Sequence, residues 1–127
     1  MGPLAYTNVV PEILATVRGL RFPPDSDDYE LPYIVVEGHL MQHLVSAEAP
    51  DADIAAAFAL MERMAASDDE DVLTLLSIGI VETFEAWAWQ REPGLGRLLA
   101  QMPGSLDAAL RREFGERWAA VAKRHNE

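Results

Sequence analysis

The chain has 127 residues, half of them apolar, with 21 acidic and 10 basic side chains, a formal net charge of −11 and no cysteine. That length supports one core and does not divide into two, so a single domain over 1–127 is expected. The acidic balance repels phosphate backbones and anionic headgroups, which argues against nucleic acid and membrane surfaces as partners, and the lack of cysteine removes disulfides, thiolate metal sites and cysteine nucleophiles.

Helix is favoured over strand because apolar residues recur at intervals of three and four, and Ala and Leu are plentiful. The first helix is expected from Val9 to Arg18, with Pro11 in its first turn, Gly19 ending it, and Ile13, Leu14 and Val17 facing inward. Residues 21–30 combine a proline pair with four acids and read as a surface loop. The second helix runs from Leu31, with Pro32 in its first turn, to Ser46, and draws its buried face from Tyr33, Ile34, Val36, Leu40, Met41, Leu44 and Val45.

The third helix follows Pro50, with Asp51 as its expected N-cap and Ile54, Ala57, Phe58, Met61, Met64 and Ala65 as a core-facing stripe. Ser67-x-x-Glu70 has the form of a capping box opening a fourth helix, and its acids suit the positive end of the helix dipole. On that helix Val72, Leu76, Ile80, Thr83 and Trp87 share a face with Leu75 and Gly79, and the mid-helix glycine suggests a packing notch. A short helix carrying Leu95, Leu98 and Leu99 follows Glu92-Pro93-Gly94. A last helix from Ser105 is expected to bury Leu106, Leu110, Phe114, Trp118 and Val121. The expected fold is therefore all-α, five to six helices in a compact HEAT-like or irregular helical bundle.

Residues that could carry chemistry are sparse. His39 and His43 stand four apart and share one side of a helix, but a metal site needs a third ligand, for which Glu62 is the candidate if it packs against the second helix. Asp25-x-Asp27-Asp28-x-Glu30 starts like a calcium loop, yet Glu30 stands where that loop needs glycine and Val36 where it needs glutamate. Nucleophile elbows and phosphate-binding glycine loops are absent, and Glu82 with Glu85 is an ordinary solvated pair. Neither an enzyme nor a cofactor is expected. Trp87 and Trp89 point about 200° apart around a helix, so one of them lies outside the core or under the C-terminal helix.

Charge points instead to binding. Residues 22–90 hold 15 acids against Arg63 alone, net −14, whereas residues 91–127 hold five acids and seven bases. A basic protein would be steered to the middle of the chain. The first cation is Arg18, no apolar run approaches the length of a membrane span, and Tyr6 stands where a myristoylation start at Gly2 needs Ser or Thr, so a soluble, cytoplasmic protein is expected.

The segment Leu31-Pro-Tyr-Ile-Val-Val-Glu-Gly-His-Leu and the run of Ser67-Asp-Asp-Glu-Asp-Val-Leu-Thr-Leu-Leu-Ser-Ile-Gly-Ile-Val-Glu-Thr-Phe resemble a bacterial family of small α-helical immunity-like proteins built of HEAT-like helical hairpins. The resemblance covers roughly residues 28–118. Glu82 matches the glutamate near the end of that family's helix, while Gly38 and the two histidines depart from it. What the resemblance implies is antitoxin duty: a cytoplasmic protein that binds and blocks a polymorphic toxin encoded beside it.

The leading expectation is thus an immunity protein that meets a basic toxin domain through Asp25, Asp27, Asp28, Glu30, Asp68, Asp69, Glu70, Asp71 and Trp89. The alternatives are a HEAT-like scaffold that associates with itself as a homodimer or with another protein, and, more remotely, a metal-dependent enzyme using His39 and His43.

Overall fold

The computed structural model describes residues 4–20 and 31–127, and these form seven helices with no strand among them. The expected class holds, with more helices than the sequence pattern suggested. The chain enters through a 3₁₀ turn, Tyr6–Asn8, into α1, Val9–Thr16, which buries Val9, Val10 and Ile13. Helix α1 stops two residues before the expected Arg18, and Val17 and Leu20 continue the buried face beyond its end.

Helix α2 covers residues 32–45 and is widened into π-type turns over Ile34–Leu40 before returning to α geometry over Met41–Val45. The wider turns change which side chains face inward. Val35 and Val36 are both buried, whereas Ile34, one of the candidates for the buried face, is 44% exposed. Helix α3, Asp51–Ala65, buries all six residues of its expected stripe and Asp53 besides. Its N-cap is Pro50 rather than Asp51, which lies inside the first turn.

Helix α4, Glu70–Gln90, is the longest, with π-type turns over Leu76–Val81. Val72, Leu75, Leu76, Gly79, Ile80, Thr83 and Trp87 are buried as the sequence pattern required. By length and composition alone this helix could cross a membrane, contrary to the reading of the bare sequence, yet more than half of its apolar window is buried inside the fold. The notch at Gly79 is real. A Cβ there would lie 3.1 Å from Val36 Cγ1 and 3.3 Å from Leu75 Cδ1, so glycine lets the widened stretches of α2 and α4 meet. The Thr83 hydroxyl donates to the Gly79 carbonyl at 2.9 Å, inside this same stretch.

Helix α5, Leu95–Gln101, precedes α6, Gly104–Phe114, and α7, Glu116–His125. The last two were expected as one helix. They are separated because Gly115 takes φ 55° and ψ −125°, a conformation that side-chain-bearing residues avoid. The break swings α7 onto the C-terminal half of α4, where Phe84 meets Trp118 edge-on at 5.3 Å and Trp87 at 5.5 Å. Leu106, Leu110, Trp118 and Val121 are buried as expected, and Phe114 is half-buried beside the break. With α1 and α6 against α3, and α2 and α7 against α4, the α3–α4 hairpin forms the centre of one continuous core.

Candidate protein-binding surface

The acidic turn between α3 and α4 is built differently from the capping box that the sequence suggested. Asp69, not Ser67, is the N-cap of α4, and its Oδ1 accepts the Asp71 amide at 3.0 Å. Its other oxygen accepts the Tyr6 amide at 2.9 Å, which ties the turn to the start of the chain. Ser67 is buried, donates its hydroxyl hydrogen to the Leu4 carbonyl at 2.7 Å, and accepts the Asp69 amide at 3.1 Å. Two side chains therefore brace the turn, and the Glu70 side chain bonds neither.

The other three acids of the cluster, Asp68, Glu70 and Asp71, are exposed and have no ion-pair partner among the described residues. Tyr6 lies beside them. Burial chiefly, with help from Tyr33 and the negative charge of Asp71, holds the Tyr6 hydroxyl above its ordinary pKa.

Some acids elsewhere are paired with the protein's own arginines, while Glu37, Glu48 and Glu82 are exposed with no ion pair among the described residues. Arg63 meets Glu12 at 2.9 Å, Arg97 meets Asp51 at 2.7 Å, and Arg117 meets Glu85 at 2.7 Å while also bonding the Ser77 hydroxyl at 2.8 Å. Hydrogen bonds from Arg97 and Gln101 lower the Asp51 pKa. Burial pushes the Asp107 carboxyl up, but the bonds from Arg111 and the Trp118 indole, with the Arg111 charge, together outweigh it and leave the pKa lowered. The base-rich tail thus folds back onto part of the acid-rich middle. Of the acids it leaves unpaired, Asp68, Glu70 and Asp71 cluster at the α3–α4 turn, whereas Glu37, Glu48 and Glu82 stand singly.

Trp87 and Trp89 divide as their spacing requires: Trp87 is 5% exposed, inside, and Trp89 is 68% exposed. The Arg124 guanidinium lies over the Trp89 ring, 3.4 Å from its centroid, and the two border a cleft of about 190 Å³ shared with Glu85, Ala88, Ala120 and Val121. Trp89 stands at the far end of α4 from the acidic turn, about 27 Å away at 1.5 Å per residue. The two parts of the expected surface are not adjacent. They are joined by a line of exposed residues on one helix face, Asp71, Thr74, Ile78, Glu82, Ala86 and Trp89. Ile78 and Glu82 were not among the expected contact residues, although each stands seven positions from one of Asp71 and Trp89 and eleven from the other, spacings that return to one helix face.

Asp25, Asp27, Asp28 and Glu30 lie outside the described residues. His43 is engaged away from the metal arrangement that the remote alternative would require with His39. His43 Nε2 instead contacts buried Asp53 Oδ2 at 2.8 Å, and the same oxygen accepts the Gly19 amide at 3.1 Å, locking α2, α3 and the end of α1 together. Glu62, the candidate third ligand, accepts a hydrogen bond from Ser105 at the start of α6 and is not packed against α2. No group of three residues suited to a metal occurs among the described residues.

Comparison with protein-family models, curated proteins and solved structures finds no match to this chain.

Proposed function

We propose that the protein acts by contact rather than catalysis, as an immunity-type binding protein that neutralises a basic toxin domain through the acidic turn of the α3–α4 hairpin. One observation carries the reading. Asp69 alone meets the capping need of α4, so Asp68, Glu70 and Asp71 remain exposed without a counter-ion among the described residues. Exposed like charges at one turn repel one another, and a cationic partner relieves that repulsion.

Such a turn speeds encounter with a basic surface and opposes the binding of acidic ones. It takes the place that a nucleic-acid phosphate or an acidic substrate would occupy on the toxin. The cytoplasm is where an immunity protein of this kind meets its toxin before export.

The test is co-expression with the toxin domain encoded next to this chain. Rescue of growth by the unaltered protein is expected, and Asp68→Lys, Glu70→Lys and Asp71→Lys together should abolish it while leaving the circular dichroism spectrum intact. Rescue that survives the triple reversal removes the acidic turn from the mechanism.

A further inference from the structure

We infer that the outer face of α4 is a self-complementary surface on which a second copy of this chain docks antiparallel. Asp71, Thr74, Ile78, Glu82, Ala86 and Trp89 are all exposed and follow one another at intervals of three and four, so they form one stripe along the helix. Ile78 and Trp89, 43% and 68% exposed, are two of only four large apolar side chains exposed among the described residues. They lie on the same face, about three helical turns apart, with Glu82 and Ala86 between them.

The stripe is symmetric in position. Residues 71 and 89, 74 and 86, and 78 and 82 each mirror one another about position 80. In a two-fold antiparallel pair every position faces its mirror, and each contact occurs twice. The small side chains Thr74 and Ala86 face each other, which lets the helices approach between the larger ones.

Charge follows the same symmetry and decides the occupant. One end of the stripe is acidic, with Asp68, Glu70 and Asp71 exposed. The other end is net basic, with Arg124 over the Trp89 ring and 3.8 Å from the Glu127 carboxylate, and with Arg91 and Lys123 exposed close by in sequence. A uniformly basic partner would meet attraction at one end and repulsion at the other. A surface with the same polarity reversed meets attraction at both, and a second copy turned by 180° is such a surface. Asp71 then faces Arg124 and Trp89 of the other copy. Near the centre Glu82 faces Ile78 of the other copy, whose neighbour Ser77 holds the Arg117 guanidinium at 2.8 Å.

The chain's net charge of −11 opposes any self-association. At physiological ionic strength, however, screening over about 8 Å confines electrostatics largely to the facing pairs. A single helix pair is a small contact beside the roughly 1,000 Å² that a stable specific interface needs, so a weak, concentration-dependent dimer is expected. This goes beyond the toxin-binding reading and does not depend on it, but the two share Asp71, so a bound toxin domain and a second copy exclude one another at that end of the stripe.

Because the chain has no cysteine, the geometry can be read by cross-linking. Thr74→Cys and Ala86→Cys proteins, mixed at about 100 µM and oxidised with diamide, should give the mixed disulfide in clear excess over either homodimer. Sedimentation equilibrium of the unaltered protein should show a monomer–dimer equilibrium, abolished by Ile78→Glu and unchanged by Leu31→Glu, which alters an equally exposed side chain off the stripe. Homodimer disulfides as abundant as the mixed one, or a strict monomer up to about 1 mM, would overturn the proposal. No toxin is present, so failure here is distinct from failure of the rescue experiment.

Discussion

Replacing Asp69 by alanine separates the acid that builds the α3–α4 turn from those that only surround it. The change removes the N-cap bond to the Asp71 amide and the bond from the Tyr6 amide. An N-cap is worth about 1 kcal/mol. A hydrogen bond to a charged acceptor is worth about 1.5–3 kcal/mol when buried, and about 1 kcal/mol is reasonable for a half-exposed carboxylate. The expected loss is therefore about 2 kcal/mol. At about 2.1 cal/mol/K per residue, 127 residues unfold with an entropy near 0.27 kcal/mol/K, so the Tm should fall by about 7 °C. Asp68→Ala touches neither bond and should change stability by less than about 0.5 kcal/mol. Urea unfolding followed by far-ultraviolet circular dichroism at pH 7 reads both variants, with the m-value unchanged if only native-state bonds are lost. Equal losses for Asp68→Ala and Asp69→Ala, or a Glu70→Ala loss larger than that of Asp69→Ala, would refute the assignment of the cap.

Gly79→Val should cost about 2–3 kcal/mol, measured in the same denaturation assay, because the added methyls enter the contact with Val36 and Leu75. Gly115→Ala should cost about 1–2 kcal/mol, since alanine must adopt a backbone conformation it disfavours, and helix content should be retained. Asp107 supplies a pH dependence. Its folded pKa lies below the ordinary 3.8, so its stabilising contribution is present above that value and is lost as pH falls through the lower folded pKa. Asp107→Asn should therefore flatten the fall in Tm below about pH 4, and an unchanged acid limb would contradict the shift.

Helix positions were legible wherever a run of apolar residues repeated at three and four, and least so where backbone geometry departed from the regular α-helix. The buried stripes of α3 and α4 follow directly from Ile54 to Ala65 and Val72 to Trp87. The widened turns over Ile34–Leu40 were not legible, because no residue there demands them, and they moved Ile34 outward and Val35 inward. Gly115 was legible as a glycine, but its positive φ depends on α7 folding back onto α4, a long-range contact that local pattern does not encode.

The charged groups show the same division. That the middle of the chain is acidic was plain from composition, and that α4 needed a cap was plain from Ser67 to Asp71. Which acid does the capping was not, since Asp69 is fixed by the Tyr6 amide, 63 residues away. The neutralisation of Asp51 by Arg97 and of Glu85 by Arg117 is likewise a tertiary fact. It reduces the excess of negative charge and leaves Asp68, Glu70 and Asp71 as the tightest unpaired cluster among the described residues, with Glu37, Glu48 and Glu82 exposed singly. His43 reads as a metal-like residue only until Asp53 is seen beside it.

The central claim is that the exposed acids of the α3–α4 turn bind a basic protein. Isothermal titration calorimetry of this protein with the basic toxin domain proposed as its partner, at about 50 and about 300 mM salt, is the direct test. A 1:1 complex per chain is expected, weakening as salt rises and losing at least ~100-fold in affinity when Asp68, Glu70 and Asp71 are reversed to lysine. Affinity that is indifferent both to salt and to the triple reversal would contradict it.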